Sequence, residues 1–149
     1  LSTVEPNALR ALVEAARVAD GEPLSMLSMV LAGNLFTATV RAVVVPLLLG
    51  IPVVVKASTR ETLFPTLLQD ALRRADPELG KAMRLLAFTR EDVEHETALV
   101  EGAEATAVYG ANATIDAIAR RHPSARSAFS TSARVGPSAS SIAKKSVPS

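Results

Sequence analysis

Apolar runs and apolar periodicities alternate along this chain. After Pro6, the residues Leu9, Leu12, Val13 and Ala16 recur at three-to-four spacing and predict an amphipathic helix that ends near Asp20-Gly21. Residues 26–32 form a short apolar run closed by Gly33-Asn34, which reads as a buried strand. From Thr37 to Leu49 the pattern is apolar almost all round, with Arg41 the only charge and Gly50 then Pro52 as the stop, so a helix buried on most sides is predicted. Pro46 inside that helix predicts a kink or a late break, because a proline in a helix interior costs about 3 kcal/mol. A strand over 52–56 follows, then a helix over 62–75 with Leu63, Leu67, Leu68, Ala71 and Leu72 on one face, ended by Asp76-Pro77. A short helical turn over 77–81 leads into a strand over 83–88 and a short acidic helix from Asp92 that closes at Gly102. The last pair is a strand over 105–109, a turn at Gly110, and a helix over 112–121 with Ile115 and Ile118 facing inward.

Strand and helix thus alternate four times, which predicts an α/β fold: an open parallel sheet of about four strands, joined by right-handed crossovers and flanked by helices. The four units are not a sequence repeat. Past His122 the character changes. Residues 123–149 hold nine serines, no acidic residue and basic residues without period, so they can build neither a helix face nor a strand face. The reading is therefore one domain over 1–122 and a disordered or poorly packed tail over 123–149. A nucleic-acid or partner-binding arm, or a truncated or altered reading frame, also fits the tail, because a sheet of this kind normally continues with another strand there.

Composition narrows the field. A chain of 149 residues with 48% hydrophobic side chains suits one domain with a sizeable core. A formal net charge of +1 gives no reason to expect nucleic acid or an anionic membrane. The absence of cysteine excludes disulfides, thiolate metal sites and a cysteine nucleophile within these residues. The apolar stretch over 42–55 is broken by Pro46, Gly50 and Pro52 and is shorter than the roughly 20 residues that span a bilayer, so no membrane span is expected. Glu5 and Arg10 stand where a signal peptide would be apolar, and a cytoplasmic setting is the expectation. His95 and His122 share no metal-ligand spacing and read as solvated, with no metal site expected. Glu91, Asp92, Glu94 and Glu96 read as an exposed helix start that complements the helix dipole.

Three short segments carry candidate chemistry. In Val53-Val54-Val55-Lys56-Ala57-Ser58-Thr59 a lysine stands where a parallel strand runs out, the edge at which open α/β sheets bind ligands. Its ammonium and the Ser58 and Thr59 hydroxyls suit phosphate or ribose oxygens, though a solvated lysine at a strand end is also common. In Tyr109-Gly110-Ala111-Asn112 a strand turns into a helix whose N–H groups and dipole can face a pyrophosphate. The same residues also make an ordinary βα turn, and no GxGxxG fingerprint is present. In Gly33-Asn34-Leu35-Phe36 an amide just past a strand can donate to a developing oxyanion, or simply cap a helix.

Taken in order, these segments resemble the aldehyde dehydrogenase superfamily, between its active-site asparagine and its cofactor lysine. Within it they are most similar to the bioluminescence-type acyl-CoA reductases. The resemblance covers residues 5–122 and is carried by Gly33-Asn34-Leu35-Phe36, Leu49-Gly50-Ile51-Pro52-Val53-Val54-Val55-Lys56 and Val108-Tyr109-Gly110-Ala111-Asn112-Ala113-Thr114. It implies a Rossmann-like, cofactor-binding part of an enzyme that reduces a fatty acyl-CoA or other acyl thioester to an aldehyde. On this resemblance Lys56, with Ser58 and Thr59, contacts the adenosine ribose or its 2′-phosphate. Gly110, Ala111 and Asn112 form the turn near the cofactor phosphates, and Asn34 steadies the thiohemiacetal oxyanion. Aldehyde dehydrogenases usually have a glutamate three residues after the lysine, whereas this chain has Thr59 there and Glu61 two further on. That change removes repulsion against a 2′-phosphate and tilts the expectation to NADPH over NADH. The family's nucleophilic cysteine belongs to a later domain, so the chain is expected to be inactive alone and to work as a homo-oligomer or with a partner catalytic domain. The other reading is a non-catalytic α/β module or degenerate fragment that binds some other phosphorylated ligand.

Overall fold

The structure, a computed structural model, describes residues 24–31 and 36–131 together with Asn7, Arg10, Ala11 and Glu14. Those four isolated positions are helical and exposed, and the rest of the expected first helix lies outside the described residues. The described elements run β1 (Leu27–Leu31), α1 (Phe36–Leu48), β2 (Val53–Lys56), α2 (Leu63–Ala75), α3 (Pro77–Ala82), β3 (Met83–Leu86), α4 (Val93–Glu101), β4 (Ala105–Gly110), α5 (Asn112–Arg121) and β5 (Ser127–Thr131).

All pairings are parallel, and the strands lie in the order β3-β2-β1-β4-β5. The expected parallel α/β sheet is present, with a fifth strand at its edge. That strand corrects the boundary of the tail: Ser127–Thr131 pairs with β4 from Thr106 to Gly110. Its serines and small residues hide it from a reading by hydropathy, yet an edge strand needs backbone pairing on only one side. Residues 132–149 lie outside the described residues.

The two faces of the sheet are covered separately, as side-chain alternation along strands requires. On one face Met29, Leu31, Val53, Val55, Met83 and Ala107 pack with Val43 and Leu47 of α1 and Leu72 of α2. On the other, Val30 and Val108 pack with Leu99 of α4 and Ile115 and Ile118 of α5. Val43, Val53, Val55 and Met83 are fully buried, and each stabilises the fold by about 1.5–3 kcal/mol relative to an exposed side chain.

Local signals explain most boundaries. Pro46 sits in the last turn of α1, and Gly50 at φ 79 closes the helix, with the Gly50 N–H donating to Leu47 O at 3.0 Å and the Ile51 N–H to Pro46 O at 2.9 Å. The helix therefore runs through Pro46 and ends two residues later, at Leu48, close to the expected late break. In α2 the inward face differs from the predicted one: Leu63 and Leu67 are 67% and 51% exposed, while Pro65, Gln69 and Leu72 are buried. Leu63 and Leu67 lie roughly 140–180° round the helix from Leu72, so only one of the two leucine stripes can face the sheet. The Gln69 amide selects between them by donating to Met83 O at 2.7 Å. Asp76 caps α3 by accepting from the N–H groups of Glu78 and Leu79 at 2.9 and 3.4 Å.

Candidate functional site at the carboxyl edge of the sheet

The strand order reverses direction between β1 and β4. From β1 the chain steps outward to β2 and β3, then returns to β4 on the other side of β1. Such a switch point opens a crevice outside the carboxyl ends of the two strands, where ligands of open α/β sheets bind. Lys56 ends β2, Gly110 ends β4, and β1, which ends at Leu31, lies between those two strands in the sheet. Lys56 is in register with Val30 of β1, and Val30 with Val108 of β4. The expected Lys56 and Gly110 groups therefore flank the end of β1 on one edge of the sheet. Asn34 itself, with Gly33 and Leu35, lies outside the described residues.

Lys56 shares its face with Val54, on the side of the sheet that α4 and α5 cover. Its Nζ sits 5.4 Å from the centroid of the Phe88 ring, a cation–π contact, and Phe88 in turn lies 5.7 Å from the His95 ring at 32°. Burial pushes the Lys56 ammonium below the usual lysine range; Glu96 opposes that push, Arg90 adds to it and Glu91 opposes it. The result is a partly desolvated cation at the mouth of the crevice. Phe88 and Arg90 were not singled out from the sequence. The signal available was their place just past the β3 run, on the same edge as Lys56.

Ser58 and Thr59 belong to a tight turn. The Ser58 hydroxyl accepts from the Arg60 N–H at 3.3 Å and its carbonyl from the Glu61 N–H at 3.1 Å. Thr59 is exposed beside it. Glu61 is occupied at the start of α2, where its Oε1 accepts from the Phe64 N–H at 3.2 Å. At the other flank Gly110 is buried, and Ala111 begins α5 without a side-chain cap. The Ala111 carbonyl accepts from the N–H groups of Thr114 and Ile115 at 2.9 and 3.1 Å, which leaves the first N–H groups of the helix at the edge. Asn112 is exposed next to them. Burial raises the pKa of the neighbouring Tyr109 phenol.

The acidic helix start and one histidine depart from expectation. Glu96 is buried, not solvated: Arg121 donates to it through Nε at 2.7 Å and through a terminal nitrogen at 2.8 Å, and His122 Nε2 lies 3.2 Å from its Oε1. The His122 side chain is only 7% exposed, because the end of α5 folds it against α4. Burial works to raise the Glu96 pKa, but the Arg121 and His122 hydrogen bonds and charges outweigh it and hold the carboxylate below its usual range. Asp92 caps α4 by accepting from the His95 N–H at 3.2 Å and pairs with the exposed His95 ring at 2.8 Å. That end of the acidic run does complement the helix start.

The family model for acyl-CoA reductase (LuxC) matches residues 8–136. The chain belongs to the LuxC acyl-CoA reductase family. No curated protein and no solved structure matches it. The LuxC match runs past β5, in agreement with that strand being part of the sheet. Among the described residues no helix is long and apolar enough to cross a membrane.

Proposed function

We propose that this chain is the cofactor-binding part of a fatty acyl-CoA reductase and that it takes NADPH at the carboxyl edge of β2, β1 and β4. The observation that carries the reading is a half-buried ammonium, Lys56, at the end of the strand next to the switch point, opposite an uncapped helix start at Ala111. Lys56 would hold the adenosine ribose and its 2′-phosphate, with the Ser58 and Thr59 turn beside it. Gly110, Ala111 and Asn112 would meet the pyrophosphate through backbone N–H groups. Family resemblance assigns Asn34 to the oxyanion of the acyl group. When bound, NADPH supplies the hydride that reduces the acyl group to the aldehyde.

The chain's own part is binding, orientation and oxyanion support. It holds no cysteine, so the thiolate that accepts the acyl group comes from a partner catalytic domain outside these residues. The second reading, a non-catalytic module for another phosphorylated ligand, draws on that same lack of a nucleophile. Calorimetric titration separates the two. Lys56→Ala should weaken NADPH binding by about 1–3 kcal/mol, the range for hydrogen bonds to charged groups, and NADH binding much less. Equal losses for both cofactors would refute the 2′-phosphate contact, and ATP binding as tightly as NADPH would favour the second reading.

A further inference from the structure

We propose that Phe88 is a positioning residue of the nucleotide site: its ring face holds the Lys56 ammonium in place for the cofactor without cancelling its charge. The inference rests on the cofactor reading above and gives a role to a side chain that reading leaves out. Lys56 is in register with Leu86 of β3, and the Ala57 N–H extends that ladder by donating to Leu86 O at 3.1 Å. The chain therefore leaves β3 beside Lys56, and Phe88 follows directly after Ala87. The Phe88 ring is half-buried and packs on the cluster of Val30, Leu99, Val108, Ile115 and Ile118. It also lies 5.7 Å from the His95 ring, so the core and α4 both restrain it. The Lys56 Nζ stands 5.4 Å from the centroid of this anchored ring.

A lysine at a strand end has a flexible four-carbon stem, and gripping an anion costs it that rotamer freedom. A partner that restrains the ammonium beforehand lowers the cost. A carboxylate would do so, but it would occupy the N–H donors and repel an incoming phosphate. A ring face attracts the same cation through its quadrupole and leaves the charge uncancelled. The structure has the second arrangement: among the described residues no carboxylate is within ion-pair distance of Lys56. Glu96 is engaged by Arg121 and His122, and Asp92 by His95. Burial pushes the Lys56 ammonium below its usual range, as an apolar ring set against a cation does.

The test uses the full chain, titrated calorimetrically with NADPH in the wild type, F88L, F88Y, K56A and the F88L/K56A double variant. Circular dichroism checks the fold of each, and F88M replaces F88L if leucine unfolds the chain. F88L keeps much of the apolar bulk but loses the ring face, and should weaken NADPH by about three- to tenfold. F88Y restores the ring face and should bind within about twofold of the wild type. In the K56A background F88L should have no further effect, because Phe88 acts through Lys56. A loss on F88L that persists in full in K56A overturns the proposal, since Phe88 would then act on the cofactor or the fold without the lysine. F88Y as weak as F88L, or F88L as tight as the wild type, also overturns it, and these three results leave the cofactor reading intact. NADPH binding that K56A leaves unchanged, or a wild-type chain that does not bind NADPH, overturns the cofactor reading and the inference with it.

Discussion

Replacing Glu96 by glutamine isolates the bond that joins the two helices behind Lys56. Glu96 on α4 has an 8% exposed side chain and accepts two short bonds from Arg121 at the end of α5, at 2.7 and 2.8 Å. Glutamine keeps the volume but removes the charge and half of the fork. Loss of one member of a fully buried pair costs about 3–5 kcal/mol. Arg121 is 37% exposed and can recover water, so the cost is discounted to about 2–3 kcal/mol. With a urea slope of about 2 kcal/mol/M, the unfolding midpoint should fall by roughly 1–1.5 M with the slope unchanged. In a double-mutant cycle, Arg121→Ala should add little once Glu96 is already glutamine. A midpoint shift under about 0.3 M, or fully additive effects, would refute the idea that this pair clamps the α4–α5 layer.

The same carboxylate sets an acid limit. Its folded pKa is depressed below the unfolded value of about 4.3, so its contribution is present above that value and is lost as pH falls through the folded pKa. Urea midpoints measured from pH 6 down to pH 3 should drop more steeply in the wild type than in Glu96→Gln. Gly80→Ala should destabilise by about 1–3 kcal/mol in the same assay, because a Cβ there would meet the Arg73 Cα at 2.6 Å, backbone that cannot swing away. The purified chain alone should show no thioester-dependent NADPH oxidation by absorbance, since it has no thiolate to accept an acyl group. Turnover without another protein would overturn the partial-enzyme reading.

The sheet was legible because its strands are apolar on both faces and bounded by punctuation. The runs around Met29, Val54, Leu86 and Val108 each became a parallel strand close to the expected bounds. What escaped the sequence was decided by partners distant along the chain. Ser127–Thr131 lacks an apolar run and is a strand because the β4 edge offers it a backbone ladder. Glu96 belongs to an acidic cluster whose neighbours are solvated, and only the arrival of Arg121 and His122, 25 and 26 residues later, buries it. On α2 two leucine stripes competed, and the Gln69 bond to Met83 O settled which one faces inward. Lys56, Ser58, Thr59, Gly110, Ala111 and Asn112 do come to one edge, since a parallel sheet gathers all strand ends that lead into helices on the same side. Phe88 carries no marker of its own in the sequence, and only the β2–β3 register sets its ring beside Lys56.

Amide hydrogen exchange with and without saturating NADPH tests the central claim most directly, because it reads the location of binding without a substitution. The account predicts slowed exchange at Ala57, Ser58 and Thr59 and at Asn112 to Thr114, the two flanks of the β1 end, with little change at the opposite edge, where Ser25 bonds to Glu104 at 2.7 Å. Protection confined to that opposite edge, or unchanged exchange at both flanks under saturating NADPH, would contradict it.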